Sequence, residues 1–314
     1  MKNYKINFLK NLVNLKSLRM LLLGFSSGLP ILLVFSTLSI WLVKAGVNRS
    51  MVTMFSWAGL AYSFKFIWTP IIDNLRLPVK NFGHRKSWLL FSQIMVIFGL
   101  VFTSFTDPSQ TLLYTAIGAV IIAFASATQD VIIDAYRIES ASQKFQGILS
   151  SMYIAGYRIA MLVAGAGSLL LAAYLGTETY NVKVWRLVYM IMASLMIVGI
   201  LTTIFSPEPK IKRKNSLISF QDQSKFLISF IIFIFTFIFF YSILDNPFTN
   251  EENFSKFLFA LLRIIVCFSL SILIVYLLVK TRFIPRRSAY NAFSKPFLDF
   301  INRYGKAAIV ILLL

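Results

Sequence analysis

Two aspartates in one stretch are the residues of this sequence best suited to chemistry. Asp130 and Asp134 are four positions apart, in a stretch that begins in apolar sequence and ends in a polar loop. Residues four apart lie on the same face of an α-helix. An ionisable group at bilayer depth is costly and usually marks a path for a solute or a proton. We therefore predict that both carboxylates line such a path, with Gln129 beside them as a neutral hydrogen-bonding group.

Three further side chains are predicted to face the same path. Lys65 lies in another apolar segment at a depth comparable to that of Asp130, so an ion pair between the two is expected. Arg158 lies near the middle of a third apolar segment, with Tyr157 next to it. A guanidinium and an aromatic ring together can bind an anionic or sugar-containing substrate. The alternative for Arg158 is an ion pair with an internal acid, and the sequence leaves both interpretations open.

A polar loop and a proline are candidate moving parts. In the loop, Asp73 is followed by a basic cluster that contains Arg85 and Lys86. The functional interpretation is a gate latch between helices, and the alternative is that the basic residues only retain the loop in the cytoplasm. Pro30 removes a helical hydrogen bond, and Gly28 loosens the turn before it. This break predicts either a kink for packing or backbone beside a substrate cavity.

The apolar segments define an integral membrane protein. Of the 314 residues, 58% are hydrophobic, whereas a soluble domain is about 45–50% apolar. The apolar runs are continuous rather than alternating, which predicts an all-α integral membrane protein. A span requires about 20 apolar residues. Spans 1 to 8 are predicted at about 19–43, 51–72, 87–106, 111–134, 145–175, 184–206, 225–244 and 257–279, and a ninth begins at 307–314.

The net charge of +19 is distributed unevenly along the chain. Most Lys and Arg residues lie in the N-terminal segment and in the loops after spans 2, 4, 6 and 8. Such segments are retained in the cytoplasm, so the N-terminus is predicted to be cytoplasmic. This asymmetry explains the charge without nucleic acid and leaves a contribution from anionic membrane lipid open. The single Cys267 and the single His84 exclude a Cys/His metal site built from this chain alone, and no cofactor is expected.

The clearest internal boundary follows span 6, where Pro207 ends the helix and a basic segment begins. The two spans beyond it are rich in Phe and Ile and carry one internal charge, Arg263, which can reach the membrane surface. We expect this pair to face lipid. The predicted divisions are six spans over 1–206, a basic cytoplasmic linker over 207–224, two extra spans over 225–279, a basic cytoplasmic loop over 280–306, and the start of a further span over 307–314.

Four motifs occur in order along spans 1 to 5. They are Gly24-Phe-Ser-Ser-Gly-Leu-Pro30, Phe64-Lys-Phe-Ile-Trp-Thr-Pro70 with Asp73, Ala127-Thr-Gln-Asp-Val-Ile-Ile-Asp-Ala-Tyr-Arg137, and Gly156-Tyr-Arg158. Together they resemble the AmpG family of muropeptide permeases within the major facilitator superfamily. The loop after span 2 departs from the usual superfamily motif, because Asn74 follows Asp73 and an insertion precedes Gly83. The resemblance implies a major facilitator N-terminal six-helix bundle, with 307–314 as the start of the C-terminal half.

By this resemblance the protein is expected to be an inner-membrane symporter and not an enzyme. It would carry N-acetylglucosaminyl-anhydromuramyl compounds inward with protons, for cell-wall recycling. Asp130 and Asp134 would be the proton-linked or gate-linked carboxylates, and Lys65 and Arg158 would be their cavity partners. Such a transporter rocks two six-span halves about a midplane site. A truncated copy is therefore expected to need a second polypeptide or a second copy of itself, or to be inactive alone.

Two other functions are compatible with the sequence. A related facilitator could carry another substrate, such as acetyl-CoA or a siderophore, because the cavity residues do not define the solute. A multi-span transferase could use Asp130 and Asp134 to bind Mg²⁺ and a diphosphate. The transferase requires several acids at one face, and the 12 Asp and Glu residues of the chain are mostly scattered in loops.

Overall fold

The computed structural model describes residues 14–77, 79, 82–176, 179–209, 220–244 and 253–281, together with residues 298, 302 and 305. All regular secondary structure within these ranges is helical, which confirms the predicted all-α fold. Contacts divide the chain into two compact units. Unit 1 comprises 1–72 and 76–212, and unit 2 comprises 73–75 and 213–314. The predicted run at 307–314, most of the loop at 280–306 and most of the linker at 207–224 lie outside the described residues.

Five of the six spans predicted for unit 1 are long helical segments that are apolar enough to cross a membrane. The helix of span 4 continues past its predicted end at 134, because the polar residues after this position form hydrogen bonds and ion pairs at this end of the unit. One end of the unit, the Leu15 end, brings together the starts of spans 1 and 3 and the ends of spans 4 and 6. These spans are Leu15–Lys44 (span 1), His84–Ser104 (span 3), Leu112–Ser140 (span 4), Gln143–Tyr174 (span 5) and Val182–Phe205 (span 6).

Span 2, predicted at about 51–72, is helical but broken into short segments. Pro70 has no N–H to donate to the preceding turn. Thr69 Oγ1 donates to the carbonyl oxygen of Lys65 (2.8 Å) and competes for the same turn. Lys65 therefore lies in a tight turn between two short helices. The segments are the α-helices Arg49–Phe55, Leu60–Phe64 and Thr69–Asn74 and the 3₁₀ turns Ser56–Gly59 and Lys65–Ile67.

The break predicted at Pro30 takes the form of a widened turn just beyond the proline. The α-helix Leu15–Leu32 includes Pro30 and is followed by a π-turn, Leu33–Thr37, before the α-helix Leu38–Lys44. The π-turn is stabilised from span 6, because Tyr189 Oη donates to the carbonyl oxygen of Leu33 (2.7 Å). Backbone irregularity inside the bundle is thus satisfied by a neighbouring span.

Spans 1 and 5 pack backbone against backbone through glycines. A Cβ at Gly156 would collide with the carbonyl oxygen of Leu21, and a Cβ at Gly24 or Gly28 would collide with carbonyl oxygens of span 5. Small residues recur every four positions along the sequence of span 5, a pattern that predicts a face for close helix contact, and all four of them are buried. Close helix contact of this kind is what small residues provide in membranes. The stripe consists of Gly156, Ala160, Ala164 and Ser168.

At the opposite end of unit 1, the Lys44 end, a hydrogen-bonded contact joins the loop before span 4 to the loop before span 6. Tyr180 Oη donates to Asp107 Oδ1 (2.6 Å), and Ser109 donates to the same oxygen from its backbone N (3.0 Å) and Oγ (2.7 Å). Burial raises the pKa of Asp107, but these hydrogen bonds outweigh it and hold the pKa below the usual 3.8. Burial and the hydrogen bond to Asp107 raise the pKa of Tyr180 to about 12.

Acid is expected to weaken this loop contact. A carboxylate whose pKa is lower in the folded state stabilises it above the unfolded pKa, and this stability is lost as pH falls through the folded pKa. Below the usual value of 3.8, the wild-type melting temperature should therefore fall more steeply with falling pH than that of Asp107→Asn.

The contribution of Tyr180 to stability is present below its usual pKa of 10.0 and is lost as pH rises through about 12. Thermal unfolding across pH, with Tyr180→Phe as the companion variant, measures both. Equal acid slopes in wild type and Asp107→Asn would contradict the assignment.

Unit 2 contains the helices Phe220–Ile243 and Asn253–Lys280, which correspond to the predicted spans 225–244 and 257–279. Their rings meet edge to face, with the centroids of Phe233 and Phe268 5.4 Å apart. The guanidinium of Arg263 donates to the carbonyl oxygen of Tyr241 and stacks on its ring. The second helix contains a segment long and apolar enough to cross a membrane, Leu258–Lys280.

Candidate functional site

The centre of the site is Asp130, which is buried where spans 1, 4 and 5 meet. The residue is only 7% exposed, and Ser27 Oγ of span 1 donates a hydrogen bond to its carboxylate. Ser27 Oγ is in turn 2.9 Å from the hydroxyl of Tyr153 on span 5. Three polar groups from three spans therefore form one hydrogen-bonded chain. A buried carboxylate with hydroxyl partners is able to take up and release a proton.

The predicted ion pair between Lys65 and Asp130 is not formed, because the carboxylate is bonded to Ser27 and Lys65 lies in the tight turn of span 2. Trp68 Nε1 donates to Thr128 Oγ1 (3.0 Å), which holds this end of span 2 against span 4. Lys65 still lies close enough to attract Asp130 electrostatically, and Asp134 close enough to repel it. Lys65 therefore lies near Asp130 without a direct contact.

Asp134 shares a helix face with Asp130 but has a different environment. Its carboxylate accepts from Arg137 Nη2 (3.1 Å), and its side chain is 46% exposed. Arg137 also donates to Ser150 Oγ at the start of span 5. The structure thus places Asp134 at the mouth of the site, with a local ionic partner, while Asp130 is enclosed.

Tyr157 and Arg158 lie on span 5, one turn beyond Tyr153. The rings of Tyr153 and Tyr157 are 6.0 Å apart, and both are close enough to Asp130 to feel its charge. Arg158 is exposed, and its guanidinium contacts only the Met161 Sδ (3.8 Å) among the described residues. The alternative interpretation of Arg158, an ion pair with an internal acid, is therefore wrong within the described part of the chain.

Gln129, next to Asp130 in the sequence, contacts a different side chain of span 1. It is fully buried and donates from Nε2 to Ser26 Oγ (2.7 Å). A second pair extends this polar layer toward spans 3 and 6, because Thr203 Oγ1 donates to Gln93 Oε1 (3.0 Å). The layer belongs to the packed interior of unit 1, and the role of Gln129 in a substrate path stays a prediction.

The residues predicted as a gate loop form a compact charged cluster at the Leu15 end. Arg85 is buried and makes a two-pronged contact with Glu139 of span 4, at 2.6 Å and 3.0 Å. Glu208, just after span 6, accepts from the backbone N of Arg85 (2.9 Å) and of Lys86 (3.1 Å). Lys86 Nζ donates to the carbonyl oxygen of Ile204 (2.9 Å). Spans 3, 4 and 6 are thereby tied together.

The other gate-loop residue, Asp73, is exposed near the end of span 2 and is grouped with unit 2. Sequence reasoning did not single out Ser27, Glu139 or Glu208 as candidate site residues. Each could have been noticed as a polar residue inside or beside an apolar span, but nothing in the sequence identified its partner. Among the described residues there is no group of three His, Cys, Asp or Glu side chains that could hold a metal ion.

An enclosed carboxylate, hydroxyl partners on two neighbouring spans and a cation on an exposed neighbouring face are features of a multi-pass membrane transporter. The chain belongs to the Major Facilitator Superfamily, whose family model matches residues 13–296.

Three relatives place the chain near the AmpG proteins, as the sequence motifs indicated. An anhydromuropeptide permease of Escherichia coli is 37% identical over 195 residues, covering 62% of this chain and 38% of the relative. AmpG 4 of Rickettsia felis is 35% identical over 195 residues, covering 62% and 46%. AmpG 1 of Rickettsia bellii is 33% identical over 256 residues, covering 75% and 61%. The chain spans less than two thirds of the length of each, and the relatives are transporters rather than enzymes.

Proposed function

We propose that unit 1 is one half of a proton-coupled inner-membrane transporter of muropeptides. The observation that carries the proposal is the chain Asp130–Ser27–Tyr153, which connects three spans at the one enclosed carboxylate described. The muropeptide substrate is supported by the name of the Escherichia coli relative, an anhydromuropeptide permease. The basic segments at the Leu15 end favour a cytoplasmic N-terminus.

Protonation of Asp130 is the coupling step in this proposal. The charged form accepts a hydrogen bond from Ser27, while the protonated form is neutral and less costly to bury. Lys65 favours the charged form through its field. A proton on Asp130 therefore turns the hydrogen bond from Ser27 into one with a neutral partner and removes the attraction between Lys65 of span 2 and Asp130 of span 4.

Substrate would bind on the face that carries Arg158 and Tyr157. The exposed guanidinium can bind a carboxylate of the solute with two parallel hydrogen bonds. The rings of Tyr153 and Tyr157 offer apolar faces to sugar rings. The gate role of Asp73, Arg85 and Lys86 also remains a proposal, with Glu139 and Glu208 as the partners of the basic pair.

Alternating access needs a second bundle opposite unit 1. We propose that further protein, as a second polypeptide or a second copy of this chain, covers the face of Arg158 in the active assembly. Co-purification of unit 1 with the remaining half, followed by uptake of labelled anhydromuropeptide into proteoliposomes, tests the function as a whole. Uptake that survives a protonophore would remove proton coupling, and stronger competition by acetyl-CoA than by anhydro-sugars would change the substrate class.

Removing one hydroxyl from the chain tests its role directly. A hydrogen bond to a charged group is worth about 1.5–3 kcal/mol, so Ser27→Ala is expected to slow proton-driven uptake by roughly ten- to hundred-fold. The matched control is Ser39→Ala on the same span, whose hydroxyl donates only to the carbonyl oxygen of Phe35 (2.6 Å). Equal uptake by the two variants in the assembled transporter would show that Ser27 has no part in coupling.

A further inference from the structure

A cleft of about 530 Å³ opens at the Leu15 end of unit 1, away from the site around Asp130. It lies where span 1 begins, span 4 ends and the chain leaves span 6. Its polar lining consists of Lys16, Arg19, Tyr136, Glu139, Ser140, Ser142 and Glu208. Because all three spans begin or end here, the cleft is at the depth of lipid headgroups.

Of the two acids of the cleft, Glu139 is paired with a cation that lies behind it, and Glu208 is bound by backbone N–H groups. Glu139 binds the guanidinium of Arg85, and Glu208 binds the first turn of span 3 at Arg85 and Lys86. Lys16 and Arg19 form no ion pair with any residue that the structure describes. Lys16 and Arg19 outnumber Glu208, which backbone N–H groups bind rather than a cation, so the net charge of the cleft is positive.

Lys16 and Arg19 retain most of their donors for a ligand. Each makes one long hydrogen bond to a backbone carbonyl oxygen, from Lys16 Nζ to Ser140 (3.4 Å) and from Arg19 Nη2 to Phe205 (3.3 Å). Both cations thus point into the space between spans 1, 4 and 6. An ammonium and a guanidinium side by side are suited to phosphate oxygens.

The rest of the cleft and its rim are apolar. Met20, Leu149 and Pro207 contribute to the walls. Outside, Leu18 is 46% exposed and Phe205 is 75% exposed, and the hydrogen bond from Arg19 to Phe205 places them at the same edge. A cationic cavity that continues into an exposed apolar surface suits an amphiphile better than a fully polar ion.

We propose that this cleft binds the phosphate headgroup of an anionic phospholipid, with Lys16 and Arg19 on the phosphate and the acyl chains along Leu18 and Phe205. Basic pockets between membrane helices bind such headgroups. Tyr136 and Ser140 supply hydroxyls at the same opening, although each already donates to a backbone carbonyl oxygen. The bound lipid would bridge spans 1, 4 and 6 beside the charged cluster of Arg85. The proposal is independent of the transported substrate.

Native mass spectrometry of the purified full chain in nonionic detergent tests this assignment. The protein is titrated with phosphatidylglycerol, with phosphatidylcholine, and with glycerol 3-phosphate as the water-soluble source of the same phosphate. Each cation removed is expected to weaken phosphatidylglycerol binding about five-fold, so Lys16→Gln with Arg19→Gln should weaken it roughly thirty-fold. The control pair, Lys144→Gln with Lys183→Gln, removes two exposed lysines outside the cleft and should bind as wild type does.

Each outcome is decisive. Weaker phosphatidylglycerol binding in the cleft pair alone supports the lipid site, and the two single variants give the same answer if the pair does not fold. Equal binding by both pairs, or equal binding of phosphatidylcholine and phosphatidylglycerol, would overturn it. Displacement of the lipid by glycerol 3-phosphate at comparable concentration would overturn the lipid assignment in favour of a soluble phosphate.

Discussion

Asp130→Asn is expected to abolish proton-driven accumulation of substrate in the assembled transporter while the protein still folds and inserts. Asparagine has nearly the same shape and can still accept the hydrogen bond from Ser27. It cannot take up a proton, so the coupling step is lost and only downhill exchange of solute remains. The measurement is uptake against a gradient in proteoliposomes with an imposed pH difference, alongside counterflow without one.

Asp222→Asn provides the matched control, because it makes the same chemical change in the helix Phe220–Ile243 of unit 2. It should accumulate substrate at the wild-type rate. Infrared difference spectra give a second readout, since a protonated carboxyl band present in wild type and missing in Asp130→Asn would identify the proton site without transport. Full accumulation by Asp130→Asn would remove this residue from coupling.

Gly156→Ala is expected to cost about 3 kcal/mol of stability or more, a large effect for one methyl group. The added Cβ would meet the carbonyl oxygen of Leu21 and the backbone of Phe25, and backbone atoms cannot rotate away as side chains can. Spans 1 and 5 would have to separate, which costs more than ordinary overpacking of about 1–3 kcal/mol. Because Ser27 and Tyr153 meet across this interface, uptake should fall together with stability.

Gly147→Ala is the control for that substitution. Gly147 is in the first turn of the same helix, and a Cβ there would meet nothing within 4 Å. Alanine is favoured over glycine in helices by up to about 1 kcal/mol, so this variant should be unchanged or slightly more stable. Reversible unfolding in mixed detergent micelles compares the two. Similar stability of both variants would show that spans 1 and 5 tolerate a wider separation.

Features set by local sequence were predictable. Continuous apolar runs predicted the long helices, and the small residues of span 5 predicted its contact face, because both depend on side-chain type at a fixed spacing. The apolar stretch around Asp130 identified the one acid that is buried among the residues the structure describes. The broken form of span 2 was harder to predict from the sequence, because Pro70 indicates a break but not how many helical turns it disturbs.

Pairing across spans could not be predicted in the same way. Asp130 was expected to contact Lys65, but its carboxylate instead accepts a hydrogen bond from a hydroxyl of span 1. Arg85 forms an ion pair with Glu139, which is far away in the sequence. Which side chains meet across two spans depends on how each helix is rotated about its axis. The direction of the side chains turns by a large angle from one residue to the next, so a small rotation changes the partner. Gln129 illustrates this, because it is adjacent to Asp130 in sequence but is directed toward Ser26.

The π-turns of spans 1 and 5 change which face of the helix the residues beyond them occupy, and so keep the buried residues on one face. Positions four apart drift around an α-helix by about 40° per step, so a stripe with a period of four soon leaves one face. In span 5 the turn Val163–Gly167 takes in an extra residue and keeps Ser168 in the buried stripe. In span 1 the buried series advances by one residue at its π-turn, from Gly24 and Gly28 to Leu33, Thr37 and Trp41. A long period-four stripe in a membrane sequence is therefore itself evidence of a widened turn.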